Sequence, residues 1–93
     1  MAETLALRPD LRWSQVGAEL VVLDAELGEL LRLNPVAGLI WQELAQGRGL
    51  KQIVAALCRQ FAVEPAAAEA DARAFLEELR GLELVVDEKT VVR

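Results

Sequence analysis

The sequence predicts a small α+β domain in which a three-stranded antiparallel sheet is followed by three helices, in the order βββααα. Two observations carry this prediction: short Val- and Leu-rich runs separated by tight turns fill the first third, and the apolar spacing changes to a helical period at Asn34. The chain has 93 residues, which is the length of one domain. We therefore expect a single domain over residues 1–93, with its core at about residues 11–86.

The predicted sheet consists of three strands that follow one another closely. They are Leu11–Val16, the valine-rich Glu19–Asp24, and Glu29–Leu33. Gly17 lies in the first connection, and Gly28 in the second suits a turn position with positive φ. Because such short connections join antiparallel neighbours, the strands form a meander.

The three predicted helices are bounded by clear start signals. Asn34 is a good N-cap, and Pro35 suits the first helical position, where its missing N–H is not needed. Apolar residues at helical spacing then predict a second helix over Leu50–Phe61. Pro65 opens the third, whose strong helix formers extend over Ala66–Arg80.

The C-terminal residues leave two possibilities open. Leu84–Val86 and Val91–Val92 flank the polar stretch "DEKT", so the two runs could pair as a small hairpin. Alternatively, the last residues fray at the end of the domain.

Charge and composition argue against several functional classes. The 15 acidic and 10 basic side chains give a net charge of −5, whereas nucleic-acid binding draws its affinity largely from Lys and Arg. The third predicted helix is itself acidic, which argues against a DNA-reading helix.

Cys58 is the only cysteine and histidine is absent, so Cys/His zinc sites and an internal disulfide are excluded. The N-terminal residues resemble neither a signal peptide nor a membrane span, and we expect a cytoplasmic protein.

The sequence lacks the groups that most enzymes use. Hydroxyls are limited to Thr4, Ser14 and Thr90, with no histidine to activate them. Cys58 lies among apolar helical positions and is expected to be a structural thiol. No Gly-rich phosphate loop occurs. We expect no catalytic residue, no metal ligand, no cofactor and no enzymatic activity.

The third predicted strand, "ELLRL", is apolar on both faces. If Leu31 faces the helices, Leu30 does not, or the reverse. One possibility is that the last helix or the N-terminal "LALRP" covers the remaining surface. A second is that a partner peptide adds a strand beside it. A third is a structural module in which two copies of the chain pair through this edge as a homodimer.

Three segments resemble the PqqD-like family. "VVLDAELGELLRLNPVAGLIW" is similar to its "vvLd..tg.y..LN..a..iW" run, and "GRGLKQIVAALCRQFAV" and "DARAFLEEL" continue the similarity. The resemblance extends over Leu11–Val86 and is most specific at Leu33-Asn34 and Ile40-Trp41. Two departures are Gly49, where the family commonly has a Ser or Thr cap, and Glu83-Leu84, where Gly-Leu usually ends the third helix.

This resemblance implies a winged-helix-like fold and a non-catalytic recognition element for ribosomally made, post-translationally modified peptides. In the family, the leader of the precursor peptide adds as an antiparallel strand to the third strand, in a groove closed by the third helix. The residues that match this peptide-binding site are Glu29, Leu30, Leu31, Arg32, Leu33, Asp71, Ala72, Phe75 and Leu79.

The resemblance also implies modifying enzymes as partners. A free-standing chain of this kind is most similar to the recognition protein of lasso-peptide systems, which works with a leader peptidase and a cyclase. The alternative is the D protein of PQQ biosynthesis, a peptide chaperone for a radical SAM enzyme.

Overall fold

The computed structural model describes residues 5–8, 11–24 and 28–87, which form five strands and three helices. The elements in chain order are β1 (Leu5–Leu7), β2 (Arg12–Val16), β3 (Glu19–Asp24), β4 (Glu29–Leu33), α1 (Pro35–Ala45), α2 (Leu50–Phe61), α3 (Pro65–Gly81) and β5 (Val85–Asp87). The predicted α+β class, with three antiparallel strands followed by three helices, is confirmed. None of the described helices is both long and apolar enough to cross a membrane.

The main sheet is the antiparallel meander β2-β3-β4. Its register places Val22 of β3 opposite Trp13 on one side and Leu31 on the other. Leu20 lies opposite Leu33, and both are buried in the core. Since side chains alternate along a strand, these residues define one core-facing side of the sheet. Gly28 has a φ of 70°, as its turn position predicts.

α1 packs directly on the core-facing side of the sheet. Trp41 is fully buried and meets Trp13 edge-on, with ring centroids 5.6 Å apart and planes at 78°. This geometry adds about 0.5–1.5 kcal/mol beyond the burial of the rings. A Cβ on Gly38 would meet the Leu20 Cβ at 3.4 Å, so a glycine there lets the helix approach β3 closely.

Two helix starts show how side chains satisfy the free backbone N–H groups. The Asn34 Oδ1 accepts a hydrogen bond from the Ala37 N–H at 2.9 Å, which confirms the predicted cap of α1. α2 begins after Gly49, which has no side chain to act as a cap. Instead the Gln52 Oε1 accepts from the Gly49 N–H at 3.0 Å, reaching back from the first turn of the helix.

The second sheet was not predicted. β1 and β5 pair antiparallel, with Ala6 opposite Val86. Val85–Asp87 therefore pairs with the N-terminal strand, while Val91 and Val92, the other half of the hairpin considered above, lie outside the described residues. Because Leu5–Leu7 pairs with β5, this strand does not extend the main sheet beside β4.

α3 ends in a Schellman motif that places an ordinary residue in a left-handed conformation. The Leu84 N–H donates to the Leu79 carbonyl at 2.9 Å, and the Glu83 N–H donates to the Arg80 carbonyl at 3.0 Å. Glu83 has a φ of 62° at the position that glycine usually occupies in this motif. A side chain with a Cβ is strained there by about 1–2 kcal/mol. The sequence departure at Glu83 therefore leaves the helix end intact but strained.

We expect Glu83→Gly to stabilise the protein by about 0.5–1 kcal/mol, because the strain is relieved while glycine adds entropy to the unfolded chain. The free energy of unfolding in urea measures this change. Ala74→Gly is the matched control: Ala74 is exposed within α3, and glycine there is expected to destabilise the protein by about 1 kcal/mol. Destabilisation by Glu83→Gly would contradict the strain at this position.

Candidate functional site

β4 is an edge strand of the main sheet. It pairs with β3, and no other described strand pairs with its second edge. The main contacts of β4 are with β3 and α1, whereas α3 packs mainly on α2, β5 and α1. The backbone N–H and C=O groups along the outer edge of β4 are therefore a template for another strand.

The register settles which leucine of "ELLRL" faces the helices. Leu31 lies opposite the buried Val22 and is itself half-buried. Leu30 lies opposite Leu23 on the other side of the sheet and is 59% exposed. Leu31 is thus the core-facing leucine at the edge, and Leu30 points away from the helices.

A small pocket of about 80 Å³ opens beside the edge of β4. It lies between the core-facing side of the sheet and residues 82–84, which connect α3 to β5. Its lining residues are Val22, Asp24, Glu29, Leu30, Leu31, Leu82 and Leu84. The walls are mostly apolar, and the two acidic residues, Asp24 and Glu29, are paired in register at the end of β3 and the start of β4. Such a pocket fits an apolar side chain, with acidic groups at one end.

Arg8 ties the two walls of this pocket together. Its Nη2 donates to the Asp24 Oδ1 at 3.1 Å, and its Nη1 donates to the Glu83 carbonyl at 3.1 Å. Asp24 is 5% exposed, so this ion pair is shielded on the carboxylate side. Arg8 therefore fixes the connection after α3 against the end of β3, and with it the width of the pocket.

The other predicted site residues divide into exposed and buried groups. Asp71 is exposed and Phe75 is half-buried on α3, while Glu29 and Arg32 are exposed on β4. In contrast, Leu33, Ala72 and Leu79 are buried in the core at 3%, 0% and 0% exposure. In this structure these three residues belong to the core, where Leu33 anchors β4 and the other two anchor α3. Their direct contact with a peptide stays a prediction.

Sequence reasoning missed four residues of the pocket, namely Val22, Asp24, Leu82 and Leu84. Pairing the two predicted strands in register would have placed Val22 beside Leu31. Leu82 also carried a signal, because it is a large apolar residue directly after the helix, and it is exposed in the structure. The part played by Leu84 depends on the β1–β5 pairing, which the sequence pattern did not reveal.

The described residues include no cluster of Cys, Asp and Glu side chains that could hold a metal ion. Cys58 is a free, half-buried thiol on α2. The site thus consists of a strand edge, an apolar pocket and a few charged side chains. This is the geometry of domains that bind an extended peptide segment by strand addition.

The family model described as coenzyme PQQ synthesis protein D (PqqD) matches residues 19–85. The chain belongs to this family, which confirms the resemblance found in its sequence. No curated protein matches the chain.

Two solved structures are similar over nearly their whole length. "TbiB1 in Complex with the TbiA(beta) Leader Peptide" is 26% identical with a TM-score of 0.80, covering 95% of this chain and 99% of that one. "Lasso peptide synthetase B1 complexed with the leader peptide" is 30% identical with a TM-score of 0.80, covering 89% of this chain and 98% of that one.

We expect Arg8→Ala to lower the free energy of unfolding by about 1–3 kcal/mol, because it removes a charged partner from the buried Asp24 carboxylate. Arg73→Ala is the matched control, since Arg73 forms an exposed ion pair with Glu69 at 3.0 Å. Such pairs contribute about 0.3–0.5 kcal/mol. Urea unfolding of both variants measures the difference, and equal losses would contradict a structural role for Arg8.

Proposed function

We propose that this protein binds the leader segment of a ribosomally made precursor peptide without chemistry of its own and delivers it to separate modifying enzymes. The observation that carries the proposal is the free edge of β4, with Leu31 beside the pocket. The leader would add as an antiparallel strand to β4 and lie against α3. Since ribosomal peptides are made in the cytoplasm, the protein would act there.

Main-chain hydrogen bonds to β4 would give the leader affinity with little dependence on its sequence. Specificity would come from alternate leader side chains, because every second residue of an added strand faces the same side of the sheet. A leader residue beside Leu31 would then face the pocket, and one beside Leu30 would face away. The pocket therefore selects an apolar leader side chain at one register position.

Ordering the leader opposes binding. Fixing the backbone costs about 1–2 kcal/mol per residue, so a few well-buried anchors must offset the loss. Leu31 and Phe75 are both half-buried and apolar, one on each side of the proposed groove. Covering such partly exposed side chains removes further apolar surface from water. These two residues are the expected anchors on the protein side.

The similarity to a lasso peptide synthetase B1 supports a lasso-peptide pathway, with a leader peptidase and a cyclase as enzyme partners. The family description supports the alternative, a D-type peptide chaperone for a radical SAM enzyme of PQQ biosynthesis. Titration with synthetic leaders from both kinds of precursor distinguishes the two. Saturable binding of one leader class would identify the pathway.

Pairing of two copies through β4 would occupy the same backbone groups as a leader. A homodimer of this kind would therefore compete with leader binding. Sedimentation of the protein with and without leader measures this competition. A dimer that no leader dissociates, together with no leader binding, would favour a structural module over peptide recognition.

We expect Leu31→Asp and Phe75→Ala each to weaken leader binding about 30-fold, since loss of a central anchor costs about 2 kcal/mol. Arg12→Ala is the control, because Arg12 is an exposed residue of β2, at the opposite edge of the sheet from β4. Fluorescence anisotropy of a labelled leader gives the affinities, and circular dichroism verifies the fold. Wild-type affinity in a folded Phe75→Ala variant would argue against α3 as a wall of the groove.

The charge of the groove predicts the charge of the leader. Asp71 on α3 and Glu29 on β4 are exposed acids, and the whole chain has a net charge of −5. We expect the leader to carry at least one Lys or Arg, and its affinity to fall as salt rises from about 50 to about 500 mM. Anisotropy titrations over this range test the expectation. Unchanged affinity would mean that these acids make no electrostatic contribution.

A further inference from the structure

The main sheet has a second face, turned away from the helices, which meets the proposed leader groove only along β4, at Leu30 and Arg32. In the register of the strands, Arg12, Leu23 and Leu30 form one row across this face. Ser14, Val21 and Arg32 form the next. We call these six residues the outer face.

The apolar part of the outer face is contiguous. Leu23 and Leu30 lie directly opposite each other on β3 and β4 and are 38% and 59% exposed. Side chains in such a pair are neighbours, with Cβ atoms about 4.5–5.5 Å apart. Isolated exposed leucines are common on protein surfaces, but adjoining ones on a regular sheet offer a flat apolar contact.

The charged part of the outer face is positive. Arg12 lies beside Leu23 and Arg32 lies beside Val21, and both arginines are exposed. Neither forms a hydrogen bond or ion pair with any residue in the described part of the chain. Among the described residues, the acid nearest in register is Glu19, which is exposed on the same side of the sheet and lies opposite Val16 in the next row. A cationic, apolar face thus stands out on a chain whose net charge is −5.

We propose that the outer face docks an acidic, partly apolar surface of the enzyme that modifies the bound precursor. This inference rests on the proposed function. Arg12 and Arg32 would pair with carboxylates of the enzyme, and Leu23 and Leu30 would pack against its apolar residues. Complementary charge would set orientation and association rate, and leucine burial would add affinity.

The position of the outer face suits this role. Apart from Leu30, which also lines the pocket at the edge of β4, its residues lie on the opposite side of the sheet from the pocket, so an enzyme docked there leaves α3 and the rest of the pocket accessible. At the same time Leu30 belongs to β4, the strand that would pair with the leader. The enzyme would therefore lie next to the precursor and share with it only the β4 residues Leu30 and Arg32.

Other occupants fit the outer face less well. Two copies packed through this face would bring four arginines together with only the two Glu19 carboxylates of the next row to balance them. Nucleic acid needs more phosphate contacts than two arginines provide. An acidic protein surface satisfies both the cations and the leucines.

The test compares two double variants with matched changes of charge and apolarity. Arg12→Glu/Leu23→Ser changes two outer-face residues on β2 and β3, so that β4 and α3, the proposed walls of the leader groove, keep their residues. Arg59→Glu/Val63→Ser is the control, because it replaces an exposed arginine in the last turn of α2 and an exposed valine in the connection that follows. The probe is the purified leader peptidase encoded with the precursor, and calorimetry measures its affinity. Leader affinity is measured in parallel by anisotropy.

We expect Arg12→Glu/Leu23→Ser to weaken peptidase binding about tenfold or more, while the control variant binds like the wild type. Leader affinity should change by less than about twofold in both variants. Unchanged peptidase binding by the outer-face variant, with leader binding intact, would overturn the inference alone. If the wild-type protein binds no leader, the proposed function itself fails.

Two further results would reassign the outer face. If sedimentation shows a dimer that the outer-face variant abolishes, and the peptidase does not bind, the occupant is a second copy. If the wild-type protein binds phosphatidylglycerol vesicles through these residues, again without binding the peptidase, the occupant is a membrane surface. Either result overturns the enzyme-docking proposal.

Discussion

The structure depends on the close packing of α1 against the core-facing side of the sheet. Trp41 is fully buried there and contacts Trp13, while Gly38 lets the helix backbone approach Leu20. The indole nitrogen of Trp41 has no hydrogen-bond partner in the described structure, a cost of about 1–3 kcal/mol that the packing of the ring must offset. Because α1 contacts β1, β3 and β4, this single contact orients both sheets.

One consequence of this arrangement is that β4 keeps a free edge while its core-facing side is supported. α1 packs against the core-facing side of β4, and α3 packs against α2, β5 and α1. β4 and α3, which would enclose a peptide, are thus positioned mainly by other elements and not by contacts with each other. Arg8 completes the arrangement by joining β3 to the turn after α3. If β4 and α3 enclose the leader as proposed, walls fixed in this way lower the ordering required of the protein on binding.

Most of the fold could be predicted from the sequence because its signals are local. The bounds of β3, β4 and α2 match the predicted ranges, and the Asn34-Pro35 start of α1 is confirmed by the cap geometry. The pairing of β1 with β5 could not be predicted, since it joins the two ends of the domain and neither end carries a local partner signal. The same non-local pairing explains why the predicted site was incomplete. Leu31 could be recognised from its own strand, whereas the position of Leu84 at the pocket depends on the pairing of β5, which follows it directly.

The apolar character of "ELLRL" on both faces follows from the alternation of one strand between two surfaces. Leu31 lies on the core-facing side of the sheet and Leu30 on the outer face, and both line the pocket at the edge of β4. A strand that only closed the sheet would need apolar residues on its core-facing side alone. Leu30 is 59% exposed beside the exposed Leu23, so a molecule that covers this pair would remove apolar surface from water. If the leader occupies the edge of β4 and the enzyme the outer face, both leucines of the pair are used, and a single strand brings the peptide and its enzyme together.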